Sequence, residues 1–298
     1  MVFFSKLKGW HYALLCYATW GTFPLYWYPL NHSAMPAEQI LAQRIVWSAV
    51  FALFLLVLFK QGKTVLNAFK QPRILGIFLT TAFLIAVNWL VYLWALTHNH
   101  VLDASLGYFI NPLFNVFLGW LVFKEKLNKA QLLALLSATV GILWLAIPAG
   151  QIPWVALLLA SSFGFYALIR KLAPMEALAG LTLETLLLAP FALVYLLFCY
   201  SQNSLVFSEL DGLQMAVLLG SGAATTIPLL WFAIGARQIS MSLLGMLQYI
   251  SPTLQFLCGW LLLGEELSPQ RLVGYGFVWV GVVIFLWAMN AKSKRASC

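Results

Sequence analysis

The segment FINPLFNVFLGWLVFKEKL, residues 109–127, returns 140 positions later as YISPTLQFLCGWLLLGEEL, residues 249–267, without a gap. The isoleucine, the proline, the Gly-Trp-Leu triplet, the glutamate and the final leucine keep their places. The two lysines that flank Glu125 become Gly264 and Glu266. The chain therefore contains an internal repeat, and the charge around the repeated glutamate differs between the two copies.

The composition predicts an integral membrane protein. Of the 298 residues, 62% are hydrophobic and only 9% are charged, whereas soluble domains carry roughly a quarter charged residues. The alternation of polar and apolar residues that marks transmembrane β-strands is absent. We therefore predict an all-α integral membrane fold.

Ten apolar runs of about 20 residues, the length of a membrane-spanning helix, follow one another along the chain. We place them at 8–29, 38–59, 74–97, 104–123, 130–147, 152–169, 177–199, 213–236, 242–263 and 270–289.

The shift of 140 residues extends well beyond the opening segment. It pairs residues 51–53 with residues 191–193, both of which read Phe-Ala-Leu, and Gly141 with Gly281. We therefore predict two five-helix repeats, residues 1–147 and residues 148–298. Because five is odd, the second repeat enters the membrane inverted relative to the first.

The basic residues indicate an orientation for the ten spans. Cytoplasmic loops of membrane proteins carry an excess of Lys and Arg. With the N-terminus inside, every one of the 17 Lys and Arg residues except Arg44 and Arg271 falls on the cytoplasmic side or at a cytoplasmic helix end. Both termini are then cytoplasmic, and the net charge of +8 reflects orientation and predicts no nucleic-acid partner.

Inverted repeats are a construction principle of secondary transporters, in which a site between the repeats opens to one side and then to the other. The architecture favours that class. The alternative is that duplication produced a stable helical bundle with no transport role.

A polar stripe occurs at the same place in both repeats. Tyr108, Asn111 and Asn115 share one face of the fourth helix, and adding 140 gives Gln248, Ser251 and Gln255 on the ninth. Polar groups in hydrocarbon are costly unless they find partners or line a wet cavity. Two interpretations stay open: a shared solute-binding cavity, or interhelical hydrogen bonds that hold the bundle together.

The first and third helices add further candidates for solute binding. Asn88 and Tyr92 lie on one face of the third helix, and Trp20 and Thr22 combine a ring and a hydroxyl on the first. Aromatic surfaces with a few hydrogen-bonding groups suit flat or amphipathic organic molecules. The alternative for the rings is packing or anchoring at the membrane interface.

Two ionisable residues, Arg44 and Glu184, lie within predicted spans and occupy the same repeat position. Their expected axial offset of about 9 Å is too long for a direct ion pair. Arg44 either holds an anionic solute group or bonds to backbone carbonyls. Glu184 either couples transport to protons or forms a neutral hydrogen bond between helices.

Small residues line one face of the fifth and tenth helices. They are Ala134, Ala138 and Gly141 on the fifth, and Gly274 and Gly281 on the tenth. Such faces permit close helix approach, either between the repeats or between two molecules.

The sequence lacks the usual signals of catalysis. The spans contain no histidine cluster and no paired carboxylates, and the four cysteines do not have metal-ligand spacing. No G-x-x-x-x-G-K-[ST] phosphate loop occurs. We therefore expect no enzyme activity, no cofactor, no metal and no direct use of ATP.

The chain resembles the EamA group of the drug/metabolite transporter superfamily. The resemblance rests on AQRIVWSAVFAL (42–53), on INPLFNVFLGWLVFKEKL (110–127) with TVGILWLA (139–146), and on LQYISPTLQFLCGWLLLGEEL (247–267). It covers nearly the whole chain. It implies an inner-membrane carrier of small organic solutes, often an exporter, with a central cavity lined mainly by the first, third, fourth, sixth, eighth and ninth helices.

The sequence thus favours a secondary transporter of an aromatic or amphipathic metabolite or drug, with export as the preferred direction. Its expected partners are a small-molecule solute and the bilayer of the bacterial inner membrane. Whether transport is coupled to protons stays open at this point. A passive facilitator of the same architecture and a scaffold or sensor that transports nothing are the alternatives.

Overall fold

The computed structural model describes residues 7–98, 101–146, 154–262 and 269–296, and within these ranges every regular element is a helix. The first part of the chain forms α1 (Gly9–Gly21), α2 (Phe23–Trp27), α3 (Ala37–Leu58), α4 (Gly62–Phe69), α5 (Pro72–Thr97), α6 (Val101–Phe123) and α7 (Lys129–Ala146). The second part forms α8 (Trp154–Leu172), α9 (Ala177–Ser201), α10 (Gly212–Gln238), α11 (Met241–Gln248), α12 (Ile250–Leu262) and α13 (Pro269–Ala296).

Eight of these helices, α3, α5 to α10 and α13, are long and apolar enough to cross a membrane. Their outward faces carry large apolar side chains, such as Val57 and Phe191, which are 77% and 75% exposed. Asn88, Asn111 and Asn115 are buried instead. This inside-out distribution, with apolar groups outside and amides inside, is that of a multi-pass membrane protein.

The predicted spans 8–29 and 242–263 are each broken into shorter helices. In the first, α1 ends at Gly21 and α2 begins at Phe23, with Pro24 in its first turn. In the other, α11 ends at Gln248 and α12 begins at Ile250. Pro252 permits the second break, because it has no N–H to donate to the carbonyl four residues earlier, at position 248.

The helix boundaries follow the repeat seen in the sequence. The start positions form four pairs: 37 and 177 for α3 and α9, 72 and 212 for α5 and α10, 101 and 241 for α6 and α11, and 129 and 269 for α7 and α13. Every pair is separated by 140 residues, the same shift that aligns the two segments.

Helices α7 and α13 pack closely along their small residues. A Cβ atom on Gly141 would lie 2.5 Å from the Gly274 carbonyl oxygen, and one on Gly281 would lie 2.6 Å from that of Ala134. Residue numbers rise along α7 as they fall along α13, so the two helices are antiparallel. The predicted small-residue faces therefore meet within one molecule.

Lys124, whose counterpart in the second repeat is Gly264, has an uncommon backbone conformation. Lys124 follows the last residue of α6 and has a φ of 51°, in the left-handed region that favours glycine. Its counterpart Gly264 lies outside the described residues, as do Glu265 and Glu266. At this position a lysine tolerates a backbone conformation that glycine adopts freely.

Candidate functional site

Three amides from the predicted polar stripe meet where α6 contacts α11. Asn115 Nδ2 donates to Asn111 Oδ1 at 3.1 Å and to Gln248 Oε1 at 2.9 Å. All three side chains are buried. Asn115 Oδ1 is also buried and has no hydrogen-bond partner among the described residues. The fourth and ninth predicted spans are therefore joined through their polar stripes.

The other two stripe residues of the ninth span face α1. Ser251 Oγ donates to the Tyr17 carbonyl at 2.7 Å, and Gln255 Nε2 donates to the Trp20 carbonyl at 3.2 Å. Trp20 lies in the last turn of α1, and Tyr17 lies one turn earlier. The α12 part of the ninth span is thus tied to the backbone of α1.

The candidates on the third helix are divided between two environments. Asn88 Nδ2 donates to the Leu159 carbonyl at 2.9 Å and to Ser162 Oγ at 3.0 Å, which ties α5 to α8. Tyr92 instead contacts Tyr108 of α6, edge to face, with ring centroids 5.7 Å apart. Only Tyr92 therefore joins the candidate from the fourth span.

The two candidates on the first helix also differ in their surroundings. Trp20 packs against Phe163 and Phe232, with ring centroids 5.7 and 5.8 Å away. Thr22 is exposed, and its hydroxyl donates to the Thr19 carbonyl of its own helix at 2.9 Å. Trp20 belongs to an aromatic cluster of α1, α8 and α10, whereas Thr22 lies apart from it.

Arg44 contacts side chains of two neighbouring helices. Its Nε donates to Thr225 Oγ1 of α10 at 2.9 Å, and its Cζ lies 4.4 Å from the ring centroid of Trp89 on α5. The side chain is partly exposed. Among the residues that the structure describes, Arg44 thus bonds to a hydroxyl and stacks on an indole.

Glu184 is paired with a buried arginine of α8. Arg170 Nη1 lies 3.6 Å from Glu184 Oε1, and each side chain is 2% exposed. Tyr166 donates its hydroxyl to Glu184 Oε2 at 3.3 Å. The burial of Arg170 was not predicted, because its position in the last turn of α8 is that of a residue at a cytoplasmic helix end. Its long side chain points into the bundle instead.

The repeated glutamate Glu125 also has a structural role that its sequence context did not indicate. Its carboxylate accepts from the backbone N–H of Met241 at 2.7 Å, from that of Ser242 at 2.9 Å and from Ser242 Oγ at 2.5 Å. These N–H groups begin α11 and have no intrahelical acceptor. Glu125 therefore caps α11 from the loop that follows α6.

An apolar groove of about 540 Å³ lies between α3, α5 and α9, away from the amide cluster. Its walls include Ile45, Phe83 and Leu187, and Trp89, the residue on which Arg44 stacks, is also among them. Glu38 contributes the only carboxylate to this lining. The polar stripe and the described groove are thus different places in the bundle.

Comparison with known proteins identifies the family. Residues 7–147 match the model of the EamA-like transporter family. The chain is 42% identical to the uncharacterized transporter YojE of Bacillus subtilis, covering 97% of each chain. It is 36% identical to protein RarD of Escherichia coli, covering 96% of each.

A solved structure described only as the crystal structure of a protein shares the fold, with a TM-score of 0.71 and 18% identity. The match covers 93% of this chain and 96% of that one. Together with the long, apolar helices and their buried amides, the family model and the full-length relatives lead to one conclusion. This chain belongs to the EamA-like transporter family and is a RarD-related, multi-pass membrane protein.

Proposed function

We propose that this protein is a secondary transporter that exports small aromatic or amphipathic solutes across the bacterial inner membrane by alternating access. The observation that carries the proposal is the meeting of three buried amides, those of Asn111, Asn115 and Gln248, at the contact of α6 with α11. Membership of a transporter family supports it.

The proposed architecture has ten spans in two inverted repeats, residues 1–147 and 148–298. Two of the ten spans are each built from two shorter helices. α1 with α2 forms the first span, and α11 with α12 forms the ninth. The shared 140-residue spacing of helix starts and the antiparallel packing of α7 on α13 support the inversion. The distribution of Lys and Arg supports cytoplasmic termini.

The proposed solute path runs along the polar stripe. Asn111, Asn115 and Gln248 close it in this conformation by bonding to one another. Tyr92, Tyr108 and Trp20 provide ring surfaces, and Ser251 and Gln255 provide hydrogen-bonding groups along it. A hydrogen bond between two side-chain amides contributes only about 0.5–1.5 kcal/mol net, so a solute with its own donors and acceptors can replace it.

Contacts at one end of the bundle provide a closing device for alternating access. Glu125 caps α11, and Lys171 Nζ donates to the carbonyls of Ala236, at 2.8 Å, and Ile239. The second repeat contains the corresponding glutamate, Glu265, outside the described residues, and inverted repeats predict that the equivalent loop closes the opposite side in the other state. Exchange of the two closures opens the path to alternate sides.

Proton coupling is proposed at Glu184, which is buried against Arg170 and Tyr166. If protons drive export, a pH gradient will drive solute accumulation in proteoliposomes, and Glu184→Gln will abolish that dependence while solute exchange continues. A passive facilitator shows exchange without any response to the gradient.

The direct test begins with untargeted metabolite profiling of cells with and without the protein. The leading candidates are then measured for flux in liposomes that contain the purified protein. Flux that depends on the protein, and that is reduced by Asn111→Leu or Gln255→Leu, is the expected result. Absence of flux for every candidate, or flux that is indifferent to both substitutions, would favour the scaffold or sensor.

A further inference from the structure

Arg44 is a cation that has no carboxylate partner in the described part of the bundle. Among the described residues, no acidic oxygen lies within ion-pair distance of its guanidinium, and its Nε donates only to the Thr225 hydroxyl. Both terminal Nη groups are therefore left for another acceptor. A guanidinium presents its donors as a planar fork that matches a carboxylate.

The charges of the bundle interior do not cancel. Glu184 stands at the same repeat position as Arg44, but its charge is balanced by Arg170 at 3.6 Å. Arg44 adds one positive charge that no described side chain offsets. Because an unpaired charge in an apolar interior is costly, such residues commonly mark a ligand or ion pathway.

The surroundings of Arg44 combine flat aromatic surface with hydroxyl groups. Trp89 stacks on one side of the guanidinium, and Tyr92 and Tyr108 lie close enough to interact with its charge. One turn away along α3 and α10, Ser48 Oγ and Ser221 Oγ are buried without hydrogen-bond partners among the described residues. These hydroxyls can bond to a polar group that approaches Arg44.

Arg44 stands where several helices of the bundle come together. It projects from α3, bonds to α10, stacks on α5 and interacts with a tyrosine of α6. Its side chain keeps partial exposure although it stands about two turns inside the membrane-spanning helix α3, as the eighth of 22 residues. A solute in the proposed path therefore has access to it.

We propose that Arg44 is the anion-binding group of the solute site and that the protein's solutes are aromatic carboxylates. The carboxylate pairs with the Nη groups, and the ring packs against Trp89, Tyr92 and Tyr108. This inference rests on the proposed transport function and adds the charge of the solute to it.

The test uses three probes with the same ring and different charge: 2-naphthoate, 2-naphthamide and 2-naphthylmethylamine. Binding to the purified full-length protein in detergent is measured by ligand-induced thermal stabilisation. We expect 2-naphthoate to bind at least about tenfold more tightly than the amide, the ratio that about 1.4 kcal/mol produces. Equal, weaker or absent binding of the carboxylate relative to the amide or the amine would overturn the inference.

Variants then assign the preference to Arg44. Arg44→Gln is expected to remove the preference for the carboxylate, and Arg44→Lys to retain part of it, since Lys keeps the charge without the fork. Arg73→Gln makes the same change at an exposed position of α5 and should change nothing. A preference that persists in Arg44→Gln would contradict the assignment. If that variant fails to fold, the wild-type comparison still decides the solute charge.

Liposome flux with the same probes separates this inference from the proposed function. Flux of the amide or the amine at the same rate as the carboxylate would overturn the anion site while leaving transport in place. Binding of the carboxylate with no flux of any solute would overturn transport while leaving the anion site in place.

Discussion

At the scale of single residues, Asn115 holds the contact between α6 and α11. Its Nδ2 group makes both bonds of the amide cluster, and the side chain is completely buried. Asn115→Leu leaves the acceptors of Asn111 and Gln248 unpaired. Because an unsatisfied buried polar group costs about 1–3 kcal/mol, we expect a lower midpoint of thermal unfolding in detergent and slower solute flux.

Asn67→Leu is the matched control for that substitution. It makes the same chemical change at an exposed position of the short helix α4. Surface changes of this kind usually alter stability by less than about 0.5 kcal/mol. Equal unfolding midpoints for the two variants would mean that the amide cluster contributes nothing to the fold.

The sequence predicted part of this residue-level organisation. Helical spacing placed Asn111 and Asn115 on one face of the fourth helix, and the repeat placed Gln248 in the corresponding stripe of the ninth. It did not predict the partner of Glu184, because Arg170 lies at a helix end and only the packed structure shows its side chain turning inward. It also did not predict the role of Glu125, because a cap of this kind depends on a helix 116 residues further along the chain.

At the scale of elements, the close packing of α7 on α13 depends on Gly281. A Cβ atom at this position would lie 2.6 Å from the Ala134 carbonyl oxygen, so Gly281→Ala must push the helices apart. Overpacking of this kind costs about 1–3 kcal/mol, and we expect a lower unfolding midpoint.

Gly276→Ala provides the comparison within the same helix. A Cβ atom there has nothing within 4 Å, so the variant should gain helix propensity of up to about 1 kcal/mol. If Gly281→Ala were as stable as Gly276→Ala, the close approach of α7 and α13 would be refuted.

The cap on α11 gives a second prediction for an element. Glu125→Ala removes the acceptor of two backbone N–H groups at the start of the helix. Loss of a helix cap typically costs about 0.5–2 kcal/mol, so we expect a lower unfolding midpoint and altered transport rates. Lys126→Ala, one residue away and exposed, should leave the unfolding midpoint and the transport rates unchanged. A similar fall in the unfolding midpoint of the two variants would show that the loop, and not the cap, is responsible.

The elements also show where sequence periodicity stops being informative. Apolar runs of sufficient length predicted the eight long helices, and their starts lie within a few residues of the predicted ones. The breaks at Thr22 and Tyr249 were not predicted, although Pro24 and Pro252 lie two and three residues further along the chain. A proline is compatible with a continuous helix, as Pro112, Pro190 and Pro228 are here, so its effect depends on the packing around it.

At the scale of the whole molecule, the account depends on two repeats of opposite orientation. The repeat itself is visible in the sequence and in the spacing of helix starts. The proposed inversion explains why the lysines that flank Glu125 have no counterparts around Glu265. It also places these two glutamates on different sides of the membrane. Alternating access follows only if the two sides are related in this way.

Cysteine accessibility measures this inversion directly. Single cysteines are placed at Lys126 and at Glu266 in a chain whose four native cysteines have been replaced, and intact cells are labelled with a membrane-impermeant maleimide. The account predicts that the cysteine at 266 reacts from outside and that the one at 126 reacts only after the membrane is opened. Labelling of both positions from the same side would contradict it.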